Sequence, residues 1–307
     1  MLTRKIKNIY HNPWVIFFKL CQKGYFNWLS DSMFLKIAYR IKMRRKLNLV
    51  NPITYNEKLQ WLKLYDRKEI YTKLVDKYEV KKIVASIIGD EYIIPTLGIW
   101  RHFDEIDFES LPDQFVLKCT HDSGGVVVCK NKKSLDKKKA KSIIEDSLKR
   151  NFFQVGREWP YKNVLPRIIA EEYKEDPETN ELRDYKFFCF DGNVKSLFIA
   201  SDRFSESEDT KFDFFDANFT HLPFTNGHPN ASVPPKKPNQ FDLMKELAAK
   251  LSIGIPQVRV DFYEVGDKVF FGEMTFFHWS GMKAFIPEEW DYKFGEYIKL
   301  PNIRNGE

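Results

Sequence analysis

The chain has 307 residues, 43% hydrophobic and 30% charged, which excludes a disordered polymer and suits a globular protein of two or three subdomains. Its net charge of +6 is uneven: residues 1–50 hold 11 Lys/Arg and one acid, Asp31, while the remainder carries a small negative excess. The basic character therefore belongs to the N-terminal segment, and an acidic body argues against nucleic acid as a partner.

Four scattered cysteines, Cys21, Cys119, Cys129 and Cys189, form no CxxC pair, so neither a disulfide framework nor a zinc site is expected. A reducing, cytoplasmic setting is the expectation. The apolar run at 14–18 stops at Lys19, too short for a signal peptide or a membrane span. Within residues 1–50, Phe34, Ile37, Ala38 and Ile41 fall at helical spacing, with Lys36, Arg40 and Arg44 beside them. Two readings stand for this segment. In one, Trp14, Phe17 and Phe18 insert into an anionic membrane surface on the inner face of the cell. In the other, the helices pack on the body and leave a solvated basic face.

Asn51-Pro52 breaks the pattern, and Thr54 and Glu57 have the spacing of a capping box, predicting a helix to residue 64. Another helix is expected over 78–88, ending at Gly89, followed by a short strand or extended turn at 92–95. Strands at 115–119 and 126–130 flank Thr120-His121-Asp122-Ser123-Gly124-Gly125. A helix follows over 136–150, buried along Ala140, Ile143, Ile144 and Leu148. Strands are read at 168–173, 185–190 and 194–200, the last two joined by Asp191-Gly192-Asn193. Residues 201–240, rich in Asp, Asn, Pro and Ser, read as a long functional loop or flexible insertion. Met244, Leu247, Ala248 and Leu251 mark a helix, and strands at 259–263 and 269–275 form a hairpin around 264–267. Strands mixed with helices in this order indicate an α+β fold.

The hairpin carries the sharpest chemistry. Arg259, Asp261 and Tyr263 share one strand face, and Glu273 and Thr275 share one face of the partner. If the faces coincide, two carboxylates and a guanidinium converge, which suits a divalent metal holding a polyphosphate. The alternative is a surface salt bridge. Lys118 ahead of Gly124-Gly125 is a phosphate cradle or an ordinary hairpin; no Gly-Lys-Ser/Thr follows, so it is not a Walker A loop. Glu171-Glu172-Tyr173, ending a strand with an apolar start, hold a ribose or adenine amino group or simply mark an exposed strand end. His278, set among aromatics, is a satisfied structural residue or a group at an acceptor site.

Taken in order, Asp76-Lys77, Lys118 with its glycine loop, Glu171-Glu172-Tyr173, Arg259-x-Asp261 and Glu273-x-Thr275 resemble the ATP-grasp superfamily over residues 71–285. The stretches Asn51-Pro52-Ile53-Thr54-Tyr55-Asn56-Glu57-Lys58-Leu59-Gln60-Trp61, Arg157-Glu158-Trp159-Pro160-Tyr161 and Phe276-Phe277-His278-Trp279-Ser280-Gly281 look like the TupA-like ATP-grasp family, as does the 120–125 loop. That family is associated with teichuronopeptide and surface-polysaccharide biosynthesis. The resemblance implies two α+β subdomains gripping ATP: a helical extension over 1–70, a lead-in over 71–112, a small subdomain over 113–172 and a large one over 173–307.

It also implies roles. Lys77 and Lys118 would contact ATP phosphates, with His121, Ser123, Gly124 and Gly125 closing over them. Glu171, Glu172 and Tyr173 would line the adenine–ribose side, partly through backbone groups. Lys186 or Lys211 would reach the γ-phosphate. Asp261 and Glu273 would bind Mg2+ and Arg259 would stabilise the transferring phosphoryl group, with His278 near the acceptor. Thr275 departs from the superfamily's Glu-x-Asn; a hydroxyl can still bind metal but does not present an amide carbonyl. The implied reaction joins a carboxylate, such as a uronic acid of a surface glycan, to an amine, such as an amino acid, at the expense of ATP. A glycosyltransferase would need an Asp-x-Asp signature in a suitable setting, which the chain lacks. A non-catalytic membrane-associated scaffold would have no need of the paired acids.

Overall fold

The computed structural model describes residues 13–176, 182–201 and 210–302. Helices α1 (Pro13–Gln22) and α2 (Asp31–Met43) open it, α2 capped by Ser30, whose side chain accepts from the Met33 N–H. Phe17, Cys21, Phe34, Leu35, Ala38 and Tyr39 form a small core of their own that also takes in Met282. Phe17 stacks on Phe26 at 5.0 Å, and the Lys42 ammonium lies 4.9 Å over the Trp14 ring. Phe17 is buried and Trp14 and Phe18 are partly so, packed within the helical pair.

The expected capping box is formed at the start of α3 (Tyr55–Tyr65). This helix joins the main core, the Tyr55 ring meeting Phe188 at 6.3 Å and, on α9 (Glu289–Tyr297), Phe294 at 5.8 Å. Short α4 (Ile70–Val75) precedes α5 (Glu79–Ile88); the N–H groups of Tyr78, just before α5, and of Glu79, its first residue, donate to the Asp76 carboxylate. Of the short strand or extended turn expected at 92–95, no strand forms: a 3-10 turn, Asp90–Tyr92, leads into extended Ile93, and β1 (Thr96–Trp100) begins beyond Pro95, which has no N–H for a ladder.

Strands β2 (Phe115–Cys119), β3 (Val126–Cys129) and β4 (Ile168–Glu172) join β1 in a four-stranded antiparallel sheet of order β1-β4-β2-β3. One face packs on α6 (Lys137–Leu148) through Phe115, Leu117, Ile168, Ala170, Ala140 and Ile144. The other presents Lys118 and Glu171. After short α7 (Phe153–Gly156) comes the second, five-stranded antiparallel sheet, of order β10-β9-β5-β6-β7. It comprises β5 (Asp184–Phe190), β6 (Asn193–Ser201), β7 (Lys211–Asp216), β9 (Val258–Val265) and β10 (Lys268–Thr275). Phe187, Phe262 and Val260 pack on α8 (Phe241–Leu251).

The described part of 201–240 is not one long loop. It contains β7 and the two-residue β8 (Thr225–Asn226), which pairs with β11 (Phe285–Ile286). Polar neighbours disguised Phe212 and Phe214, whose rings pack on Phe198 at 4.6 and 5.1 Å. Residues 202–209 lie outside the described residues.

Candidate active site

The two sheets face each other across a cleft. Its floor is set by register. Lys186 on β5 lies opposite Asp261 on β9, and Asp261 lies opposite Glu273 on β10. This alignment depends on a bulge: Phe271 pairs with Phe262, yet Glu273, not Gly272, pairs with Asp261. Regular pairing would set Glu273 opposite Val260 and turn its side chain to the other face. The extra residue is a glycine because a Cβ there would meet the Asp261 carbonyl and the Tyr263 ring at 3.1 Å. The bulge thus brings the two expected carboxylates onto one face.

Around that row the polar groups are paired. Asp261 is fully buried; it accepts from Arg259 Nε at 2.7 Å and NH2 at 2.8 Å, and from Lys186 Nζ at 2.5 Å. Lys186 also lies 3.3 Å from Asp184. Burial lowers the Lys186 pKa, against the pull of Asp261. Arg259 NH2 donates to Glu273 Oε1 at 3.2 Å and to Thr275 Oγ1 at 3.0 Å, and Thr275 Oγ1 in turn lies 3.2 Å from Glu273 Oε1. Burial pulls the Glu273 pKa up, but Lys186, Lys77 and Arg259 outweigh it and hold the carboxyl at about 2. Among the described residues, all of these contacts reach Oε1, which leaves Oε2 for a ligand.

The opposite wall is cationic. Lys77 lines the cleft and donates to the Asp122 carbonyl at 2.6 Å. Lys118 and Lys81 grip the two oxygens of Glu171, at 2.7 and 2.6 Å. Burial alone would raise the Glu171 pKa, yet the two lysines bring it to about 2. Ile93, Ile94, Val126 and Phe271 supply the apolar part of the lining.

The glycine loop borders this wall. Ser123 reaches the cleft, and Gly125 has φ +65°, a conformation glycine adopts freely. A Cβ at Gly125 would sit 2.3 Å from Ser147 on α6, and one at Gly124 would sit 2.6 Å from Arg150, so the glycines also let the loop pack closely. Asp122 anchors it, accepting from Ser147 Oγ at 2.7 Å and Arg150 NH1 at 3.1 Å.

Several expected residues lie elsewhere. His121 points away from the cleft: its Nε2 lies 3.2 Å from the Arg150 carbonyl, and its buried Nδ1 meets no hydrogen-bond partner among the described residues. Strand alternation carries Glu172 to the other face, beside Lys174, and Tyr173 lies there under Lys130 at 5.6 Å. Lys211 starts the far edge strand β7, whereas Lys186 lines the cleft. His278 is buried behind Arg259, Nδ1 on NH1 at 3.0 Å and Nε2 on Asn226 Oδ1 at 3.0 Å. A guanidinium only donates, so Nδ1 accepts and Nε2 carries the proton given to Asn226. Burial, then Arg259 and Lys186, push the imidazole pKa well below its usual value. His278 is thus placed as a support for Arg259.

Sequence reasoning passed over Lys81, Asp184 and Asn226. Lys81 carried a signal, lying four residues after Lys77 at the head of a predicted helix, on the same side. Asn226 carried none, because its role depends on β8 meeting the loop after β10.

Among the described residues no group of three or more His, Cys, Asp or Glu is disposed to hold a metal ion. The site therefore offers two carboxylates and a hydroxyl, a set that fits magnesium shared with substrate phosphates, not an all-protein cage.

The family model described as TupA-like ATPgrasp matches residues 57–299. No curated protein matches the chain. Among solved structures, D-alanine-D-alanine ligase from Helicobacter pylori is similar over 82% of this chain and 69% of its own, at 15% identity and a TM-score of 0.43. D-cycloserine synthetase DcsG is similar over 74% and 70%, at 14% identity and a TM-score of 0.40. ATP-grasp ligase PsnB is similar over 72% of this chain but only 57% of its own, at 10% identity and a TM-score of 0.38.

Proposed function

Because the chain belongs to the TupA-like ATP-grasp family, we propose that it is an ADP-forming ligase joining a carboxylate to an amine. The observation that carries this reading is the row Lys186–Asp261–Glu273 with Arg259, faced across the cleft by Lys77, Lys81 and Lys118. Lysines gathered on both walls suit the oxygens of a polyphosphate, and the apolar residues between them suit a base.

In this reading Lys77 and Lys118 hold the phosphates, and Ser123 closes over them. Lys186, not Lys211, takes the γ-phosphate. Glu273 is the principal magnesium ligand; Asp261 and Thr275 complete the set, Asp261 releasing Lys186 to the phosphate. When bound, magnesium neutralises the charge on the β- and γ-phosphates. A substrate carboxylate oxygen attacks the γ-phosphorus, and the bond to the bridging oxygen of ADP breaks. Arg259 stabilises the charge on the moving phosphoryl group. The amine nitrogen then attacks the acyl carbon, inorganic phosphate leaves and an amide remains.

The proposed carboxylate is a uronic acid of a surface glycan and the proposed amine an amino acid. Beside His278, the Trp279 indole is 42% exposed and offers a flat apolar face, with Lys283 Nζ 6.0 Å from the ring and His228 at 5.9 Å. Trp279 and Ser280 are held at φ 50° and 56° by the Ser280 carbonyl, which accepts from Lys63 at 2.8 Å and Gln60 at 3.0 Å. Left-handed backbone at non-glycine residues is costly and gathers at binding sites. A compartment that supplies ATP and keeps the four buried thiols reduced, the cytoplasm, completes the reading.

The test is incubation with ATP, magnesium, an amino-acid mixture and a uronic acid oligosaccharide. Equal yields of ADP and amide are expected. Glu273→Gln abolishes them while the circular dichroism spectrum stays unchanged. Sugar transfer from a nucleotide sugar without ATP consumption overturns the proposal.

A further inference from the structure

The N-terminal helical pair buries one side and leaves the other open. Phe34, Leu35, Ala38 and Tyr39 of α2 face the small core. Met33, Lys36, Ile37 and Arg40 follow the helical repeat along the opposite side, and all four are exposed, Met33 at 53% and Ile37 at 39%. The turn leading into α2 adds Tyr25 at 62% exposure and Trp28 at 79%, the indole N–H donating to the Tyr25 carbonyl at 3.1 Å. Lys19, Lys23, Arg44 and Lys46 are exposed on the same segment.

Charge on this segment is sorted by direction. Its one acid, Asp31, is turned to the body, 2.7 Å from Arg67 and 3.4 Å from Arg157. Arg45 also faces inward, paired with Glu288 and Asp291. Among the described residues, Lys19, Lys23, Lys36, Arg40, Arg44 and Lys46 pair with no acid. What faces outward is therefore cationic only, with large apolar side chains set between the charges.

We propose that this face, formed by Trp28, Tyr25 and the Met33–Ile37 side of α2, docks the protein on an anionic lipid surface. Exposed lysine and arginine alone would suit any polyanion. A largely solvated tryptophan, on the turn that precedes Met33 and Ile37, gains nothing from a phosphate backbone, but it lowers free energy by entering the head-group and acyl boundary. The cations then meet anionic head groups, each strengthening binding about fivefold. No helix among the described residues is long and apolar enough to cross a membrane, so attachment of this kind would be peripheral. The dock does not involve the cleft, and it stands or falls independently of the ligase chemistry.

The test is co-sedimentation of the full chain with vesicles of phosphatidylcholine alone, or with about a third phosphatidylserine, at 0.1 M and 0.5 M salt. Binding is expected to the anionic vesicles at low salt and to be lost on neutral vesicles. Trp28→Ala should weaken it about tenfold. Lys36→Glu with Arg40→Glu should weaken it at least about 25-fold. Both variants should keep the wild-type melting temperature, since their side chains are exposed. Absence of binding to anionic vesicles overturns the proposal. So does binding that Trp28→Ala leaves unchanged, or a preference for duplex RNA of equal charge, which would make the face a polyanion surface instead.

Discussion

At the scale of single residues, the proposed reaction leans on Arg259, and the placement of its guanidinium is set from behind. Two donors bind Asp261, a third is shared between Glu273 and Thr275, and NH1 meets His278. The imidazole can accept only because it is neutral, and its other nitrogen is fixed by Asn226, which itself donates to the carbonyls of Lys283 and Ala284 at 3.2 and 3.1 Å. Asn226→Ala removes the acceptor that selects the His278 tautomer. With the guanidinium free to shift, turnover should fall by up to about a hundredfold, since misplacement near 1 Å costs that much. The KM for ATP should change little, because Lys77 and Lys118 are untouched. Steady-state kinetics separates these outcomes; a change confined to KM would show that Asn226 acts on substrate directly. Asn226→Asp should be worse than Ala. It invites a proton onto His278 and so sets an imidazolium against Arg259.

At the scale of elements, the bulge at Gly272 is what turns two acidic strands into one site. Gly272→Ala adds a Cβ 3.1 Å from the Asp261 carbonyl and the Tyr263 ring, tighter than nine in ten real Cβ contacts. The strand must shift or return toward regular register, and either change moves Glu273. A loss of about 1 kcal/mol in stability is expected, with a far larger loss of activity. Thermal denaturation and turnover measured on the same sample check the pair, and activity falling only in step with stability would contradict it. This bulge was not legible beforehand. The period-two pattern identified both strands, and Glu264–Asp267 announced the turn between them, but alternation alone left open whether Asp261 and Glu273 shared a face. The helix from Tyr55 was legible because Thr54 and Glu57 carry a local hydrogen-bonding rule. By contrast, β7 was hidden by its polar surroundings, and Glu172 was grouped with Glu171 although adjacent strand residues must face opposite ways. Local rules reached the elements; the pairing partners that complete the site, Lys81 and Asn226, depend on contacts made across the fold.

At the scale of the whole molecule, one buried carboxylate ties the small sheet to the helix beside the cleft. Glu171 on β4 holds Lys118 on β2 and Lys81 on α5, and Lys81 reaches on to the Ile94 carbonyl and Thr96 on β1. Its carboxyl titrates at about 2 in the fold, against an ordinary 4.5. Glu273, on the large sheet, is held at about 2 as well. A folded-state pKa below the unfolded one means that the unfolded chain binds protons first as pH falls. The contribution of both groups is complete above about pH 4.5 and is lost progressively as pH falls through about 2. The melting temperature should therefore drop steeply across that window. Glu171→Gln leaves two lysines partly buried without their carboxylate, so it should lose on the order of 3 kcal/mol at pH 7. The same variant has one fewer proton to take up, so its melting temperature should fall less between pH 4.5 and 2 than that of the wild type. Melting curves recorded across the window decide the matter. If the two proteins lose stability in parallel, Glu171 is not titrating there and the lysine clamp does not hold its charge.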